Sequence, residues 1–84
     1  MKKPIHSIPQ LGQLLRARRK ELGINQHEAG RRVGLEQTTV SSVENGNPGT
    51  RLETVFRLLA ALEMELSISE RQNGQNDSPQ DDEW

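Results

Sequence analysis

Cysteine is absent from the 84 residues, so neither a disulfide framework nor thiolate ligation of zinc staples the fold, and a reducing interior is the natural compartment. Also missing is any run of about 18 apolar residues, the length a membrane span requires. Met1-Lys2-Lys3-Pro4 carries basic charge, but no apolar stretch follows it, so neither a secretory leader nor a membrane partner is expected. Histidine is scarce. His6 and His27 stand apart from any carboxylate cluster, which argues against a metal site. No nucleophile with an adjacent base and no glycine-rich phosphate loop is present, so the expectation is a chain that is not an enzyme and takes no cofactor.

What is present divides into two halves of opposite charge. Residues 1–57 hold ten Lys or Arg against five Glu, a net of +5, whereas residues 58–84 hold Arg71 against seven acids, a net of -6. A basic body suits a phosphate backbone, and an acidic tail is repelled by one. A chain this short buries only about 60% of its unfolded surface, so a second subunit is expected to help.

Four helices and one strand are legible. The first is predicted over about Pro9–Leu22, with Ser7 and Gln10 as a capping pair and Leu11, Leu14, Leu15 and Leu22 as its apolar stripe. The second runs over about Gln26–Val33, capped by Asn25 with Glu28 and ended by Gly34. A third, about Gln37–Asn45, turns Val40 and Val43 inward and leaves Gln37, Thr38, Thr39, Ser41 and Ser42 outside, a face that is polar but uncharged. After the turn Asn45-Gly46-Asn47-Pro48-Gly49, Thr50 with Glu53 reads as a third capping box. It opens a fourth helix whose stripe is Leu52, Val55, Phe56, Leu59 and Leu62. The period then drops to 2: Met64, Leu66 and Ile68 alternate with Glu65, Ser67 and Ser69. That strand has no second strand in the chain, and the cheapest partner is its copy in another subunit.

The second and third helices carry the functional signal. Two short helices joined by a glycine-containing turn make a helix-turn-helix, whose second helix enters the major groove. There amides and hydroxyls read base edges; Gln suits adenine, and Thr reaches bases or packs its methyl on thymine. Gln26, at the start of the second helix, is placed for a phosphate, and Arg18 and Arg32 flank the motif as further phosphate ligands.

Leu22-Gly23-Ile24-Asn25-Gln26, Val33-Gly34, Val40-Ser41 and Glu44-Asn45-Gly46 together resemble the Xre and lambda-repressor-like helix-turn-helix family over roughly residues 10–63. The resemblance implies an all-α bundle of four or five helices that binds a palindromic operator in double-stranded DNA as a homodimer. It puts Gln26, Gln37, Thr38, Ser41 and Ser42 on DNA, and Arg19 and Glu44 in a buried ion pair between the first and third helices. Where the family usually has Leu-Ala in the second helix, this chain has Ala29-Gly30.

Beyond that domain, the order of Leu-rich helix, short strand Met64–Ser69 and polar tail ending Glu83-Trp84 resembles the HipB antitoxins. This implies a dimer tied by paired strands through Met64, Leu66 and Ile68, a protease-sensitive tail, and a HipA-like serine/threonine kinase toxin as partner. Trp84 is then the toxin-binding anchor, and Asp81, Asp82 and Glu83 a solubilising run. The fold class expected is therefore all-α, a lambda-repressor-like helix-turn-helix bundle with one short C-terminal β-strand pairing across a homodimer. Its parts are an N-terminal arm (1–8), a DNA-binding domain (9–63), a dimerisation strand (64–70) and a flexible acidic tail (71–84). The function expected is that of an antitoxin and transcriptional repressor, cytoplasmic and nucleoid-associated. Its rivals are a stand-alone phage-type repressor without a toxin, and a protein-interaction inhibitor that no longer reads DNA.

Overall fold

Ser7 starts the fold. Its backbone is extended, and its hydroxyl oxygen accepts from Gln10 N, which supplies one of the partners that a helix N-terminus lacks. Gln10 returns its side-chain oxygen to His6 N rather than to Ser7. The computed structural model describes residues 4–71. Within them four helices follow in order: α1 (Ile8–Glu21), α2 (Gln26–Val33), α3 (Gln37–Glu44) and α4 (Leu52–Ala61). The Asn25–Glu28 capping box of α2 is complete in both directions. Gly34 ends that helix at φ 73, a left-handed turn that a side chain would strain.

The core lies between the helices. Leu15, Ala29, Val40, Val43, Val55, Leu58, Leu59, Ala61 and Leu62 form it, with Leu11, Leu22, Ile24, Val33, Leu35 and Met64 packed around them. Gly30 explains the departure in α2: a Cβ there would sit 2.3 Å from Leu35 O, so α2 approaches the following turn closer than alanine permits.

Two expectations are corrected. Thr50 does not cap α4. The N-cap is Arg51, without a side-chain bond, because the Asn47-Pro48-Gly49 turn recruits Thr50, whose hydroxyl donates to Asn47 O at 2.8 Å. The buried stripe of α4 is Val55, Leu58, Leu59 and Leu62; Leu52 and Phe56 are 63% and 49% exposed. Apolar residues occupy more than one face of α4, and only part of them turns inward.

No strand is assigned among the described residues. Residues 64–71 follow α4 as a run without ladder partners within the chain. Met64 is half-buried against the core, whereas Leu66 is exposed and Ile68 is 92% exposed. Trp84 and the tail from residue 72 lie outside the described residues.

Candidate nucleic-acid interface

A chain of side chains begins in the core and ends on the exposed face of α3. Arg19, on α1, is 8% exposed, and Glu44, the last residue of α3, is 5% exposed. Arg19 Nε and Nη2 donate to the two carboxylate oxygens at 2.6 and 3.1 Å, a fork that fits a carboxylate bidentately. Arg19 Nη1 also donates to Ile24 O at 2.9 Å, so one guanidinium ties α1 and α3 to the turn before α2. Removal of either partner would strand a buried charge, which makes the pair a strong constraint on how α3 sits.

Glu44 Oε1 accepts a third bond, from Gln26 Nε2 at 3.1 Å, and Gln26 Oε1 in turn accepts from Gln37 Nε2 at 3.2 Å. The direction of every amide in this chain follows from its start. An ionised carboxylate only accepts, so Gln26 must face it with its NH2 group and face Gln37 with its oxygen. Gln37 must then present its own NH2 to Gln26. What Gln37 has left, on an exposed first turn of α3, is one N–H and a carbonyl oxygen side by side. That donor and acceptor pair is complementary to the N7 and N6 edge of adenine.

The remaining α3 residues surround that amide. Thr38 is exposed, and Thr39, Ser41 and Ser42 are half-buried. Ser42 Oγ accepts from Asn47 Nδ2 at 2.8 Å, and Asn47 Oδ1 accepts from Gly49 N at 2.7 Å, which folds the loop against the helix. A shallow polar groove results, lined by Thr38, Ser42, Asn47, Thr50, Arg51 and Thr54. Asn47, Arg51 and Thr54 were not singled out in the sequence. The turn signature hid Asn47, and Arg51 and Thr54 read as ordinary first-turn residues of α4.

Gln26 is therefore placed inside the network, with one N–H left for a phosphate. Arg18 and Arg32 are elsewhere. Arg18 Nε donates to Leu62 O at 3.0 Å and Arg32 Nη1 to Ala61 O at 2.9 Å, so both guanidiniums hold the C-terminal end of α4 instead of standing free at the motif. The structure brings Gln26, Gln37, Arg19 and Glu44 into one network and leaves these two arginines out of it. Among the described residues no group of His, Cys, Asp or Glu is placed to hold a metal ion, and no helix is long and apolar enough to cross a membrane.

On the α4 side, Leu52 and Phe56 are exposed one turn apart on one helix face. Leu66 and Ile68 add further exposed apolar surface beyond the helix.

A helix-turn-helix domain family model matches residues 10–71 of this chain. The antitoxin HipB of Escherichia coli O6:H1 is 32% identical over 82 residues, which is 95% of this chain and 87% of that protein. Among solved structures, a chain of a HipA-HipB-O2-O3 complex superposes with a TM-score of 0.81 at 30% identity, covering 84% of this chain and 100% of its own. A chain of a HipB-O4 20mer complex gives 0.80 at 30% identity with the same coverage.

Proposed function

The chain belongs to the helix-turn-helix domain family and, within it, to the HipB antitoxins, and from that premise we propose that it is an antitoxin and transcriptional autorepressor. It binds a palindromic DNA operator as a homodimer and neutralises a HipA-like serine/threonine kinase toxin. Binding and occlusion account for the whole function, with no covalent step, no cofactor and no metal. The observation that carries the DNA reading is the Arg19–Glu44–Gln26–Gln37 chain, which delivers an oriented amide to the exposed face of α3.

In this reading Gln37 and Thr38 meet base edges, Thr39 and Ser42 support them along the groove wall, and Ser41 supports them from the same helix. Gln26 positions the α2 N-terminus on a phosphate, and the basic excess of residues 1–57 supplies sequence-independent affinity. Two copies meet through Leu66 and Ile68 of paired 64–70 segments and through the exposed Leu52 and Phe56 of α4. Each α3 then reaches one half-site, with centres about 34–36 Å apart. A toxin held by the dimer is both inhibited and brought to the promoter, and Trp84 serves as its anchor, one large side chain filling a pocket on the partner.

The test is a pull-down of tagged chain from its own host, full length against a form lacking Trp84, with mass spectrometry of what is retained. A kinase-like protein held by the full chain, and lost with Trp84, is the expected result. Recovery of DNA alone with both forms would leave a stand-alone repressor and remove the antitoxin half of the reading.

A further inference from the structure

The C-terminal end of α4 has a donor for every carbonyl, and two of those donors come from other helices. A helix leaves its last carbonyls without intrahelical partners. Here Leu58 O accepts from Leu62 N, Leu59 O from Met64 N at 2.9 Å and Ala60 O from Glu63 N at 3.1 Å, the last two being the bonds of a Schellman turn. The next two carbonyls lie outside that pattern. Ala61 O takes Arg32 Nη1 and Leu62 O takes Arg18 Nε.

No basic residue stands in the last turn of α4 itself. Arg18 comes from the last turn of α1 and Arg32 from the last turn of α2, and both cations meet the negative end of the α4 dipole. The pivot follows at once. Glu63 has φ 59, and among the described residues it is the one non-glycine in the left-handed region. There the chain turns out of α4 into Met64 and the segment beyond.

We propose that Arg18 and Arg32 are positioning residues for operator binding. They clamp the end of α4 so that the 64–70 segment leaves each subunit in one direction, and thereby fix the spacing of the two α3 helices in the dimer. The inference rests on the reading of 64–70 as the dimerisation strand. In a pair related by a two-fold axis, an error in the exit direction of one subunit is repeated in the other. The separation of the two recognition helices inherits both errors. Without the two guanidiniums, a single left-handed residue and the Schellman bonds hold that direction.

The test uses the full chain with Arg18→Met, Arg32→Met and both together, which keep the apolar stem and remove the donors. The probes are duplexes built on the half-site that footprinting defines upstream of the chain's own coding sequence. They carry one half-site, the pair at natural spacing, or the pair with one or two base pairs inserted. Each insertion turns a half-site by about 35° and moves it by about 3.4 Å. Single half-site binding and its salt slope should be unchanged. Affinity for the natural pair should fall about tenfold, and affinity for the spaced pairs should fall less, so that the spacing preference flattens.

An unchanged spacing preference would overturn the proposal. So would an equal loss on the single half-site with the salt slope reduced by about 1, which would make the arginines phosphate ligands. If the methionine variants do not fold, Arg18→Gln and Arg32→Gln replace them, shorter polar side chains that take the guanidinium away from each carbonyl, and they must flatten the preference too; an unchanged preference overturns the clamp. A wild-type chain that sediments as a monomer removes the dimer reading and the clamp together. A dimeric wild type with unaltered variants removes the clamp alone.

Discussion

Replacement of Arg19 by methionine separates what the buried pair does for stability from what it does for reading DNA. The Glu44 side chain is 2% exposed and accepts three hydrogen bonds, two of them from Arg19. Arg19→Met leaves the carboxylate with Gln26 alone and also frees Ile24 O. Breaking a buried pair by removing one partner costs about 3–5 kcal/mol. A domain of this size has a total stability on the order of 4–13 kcal/mol. At about 4–8 °C per kcal/mol, the midpoint should drop by upward of about 12 °C. The double variant Arg19→Met with Glu44→Leu removes both charges, and apolar replacement of a whole buried pair is neutral or stabilising by about 1–4 kcal/mol. Its midpoint should therefore recover. Its operator preference should not, because Gln26 has lost the carboxylate that orients it and Gln37 is free to turn. Circular dichroism melts at matched subunit concentration and fluorescence anisotropy on operator and scrambled duplexes read the two effects. A double variant that melts with the single one would sink the stability half. One that recovers both stability and operator preference would show that the chain of amides does not depend on Glu44.

Gly30→Ala should lower stability by about 1–3 kcal/mol, measured by urea denaturation, because its Cβ meets backbone at Leu35 O, which cannot swing aside. Glu63→Gly should raise it by about 1 kcal/mol, seen as a higher thermal midpoint, since glycine relieves the left-handed backbone. Phe56→Ser should leave the circular dichroism spectrum of the subunit unchanged while shifting sedimentation towards monomer, because Phe56 is half-exposed and lies outside the core. A loss of helical signal without dissociation would place Phe56 in the subunit's own packing instead.

The parts of the fold written in local chemistry were legible in the sequence. The bounds of α2 follow from Asn25, Glu28 and Gly34, because each makes a short-range backbone contact that depends on nothing distant. Val40 and Val43 were readable as the inward face of α3 because every other residue of its first two turns is polar. Where several solutions shared one pattern, the sequence misled. In α4, Leu52, Val55, Phe56, Leu58, Leu59 and Leu62 cover more than one face, and periodicity alone does not separate a core face from a face left for a partner. Thr50 carries the signature of a cap, but the neighbouring Pro48-Gly49 turn competes for its hydroxyl. Arg18 and Arg32 read from the sequence as phosphate ligands flanking the motif; that they reach the carbonyls at the end of α4 is decided by packing between residues 44 and 29 positions apart. Gln26 was placed on DNA by its position, and its second role, as the link from Glu44 to Gln37, needed coordinates.

The central claim is that α3 reads bases through Gln37. The direct measurement is the ratio of operator to scrambled-duplex affinity for the wild-type chain and for Gln37→Ala, each taken across a salt series. The ratio should fall by about 1–3 kcal/mol, roughly fivefold to 150-fold, with the salt slope unchanged, because an uncharged base contact is lost and the phosphate contacts remain. An unchanged ratio would mean that specificity lies elsewhere and that the oriented amide on α3 is not the reading head.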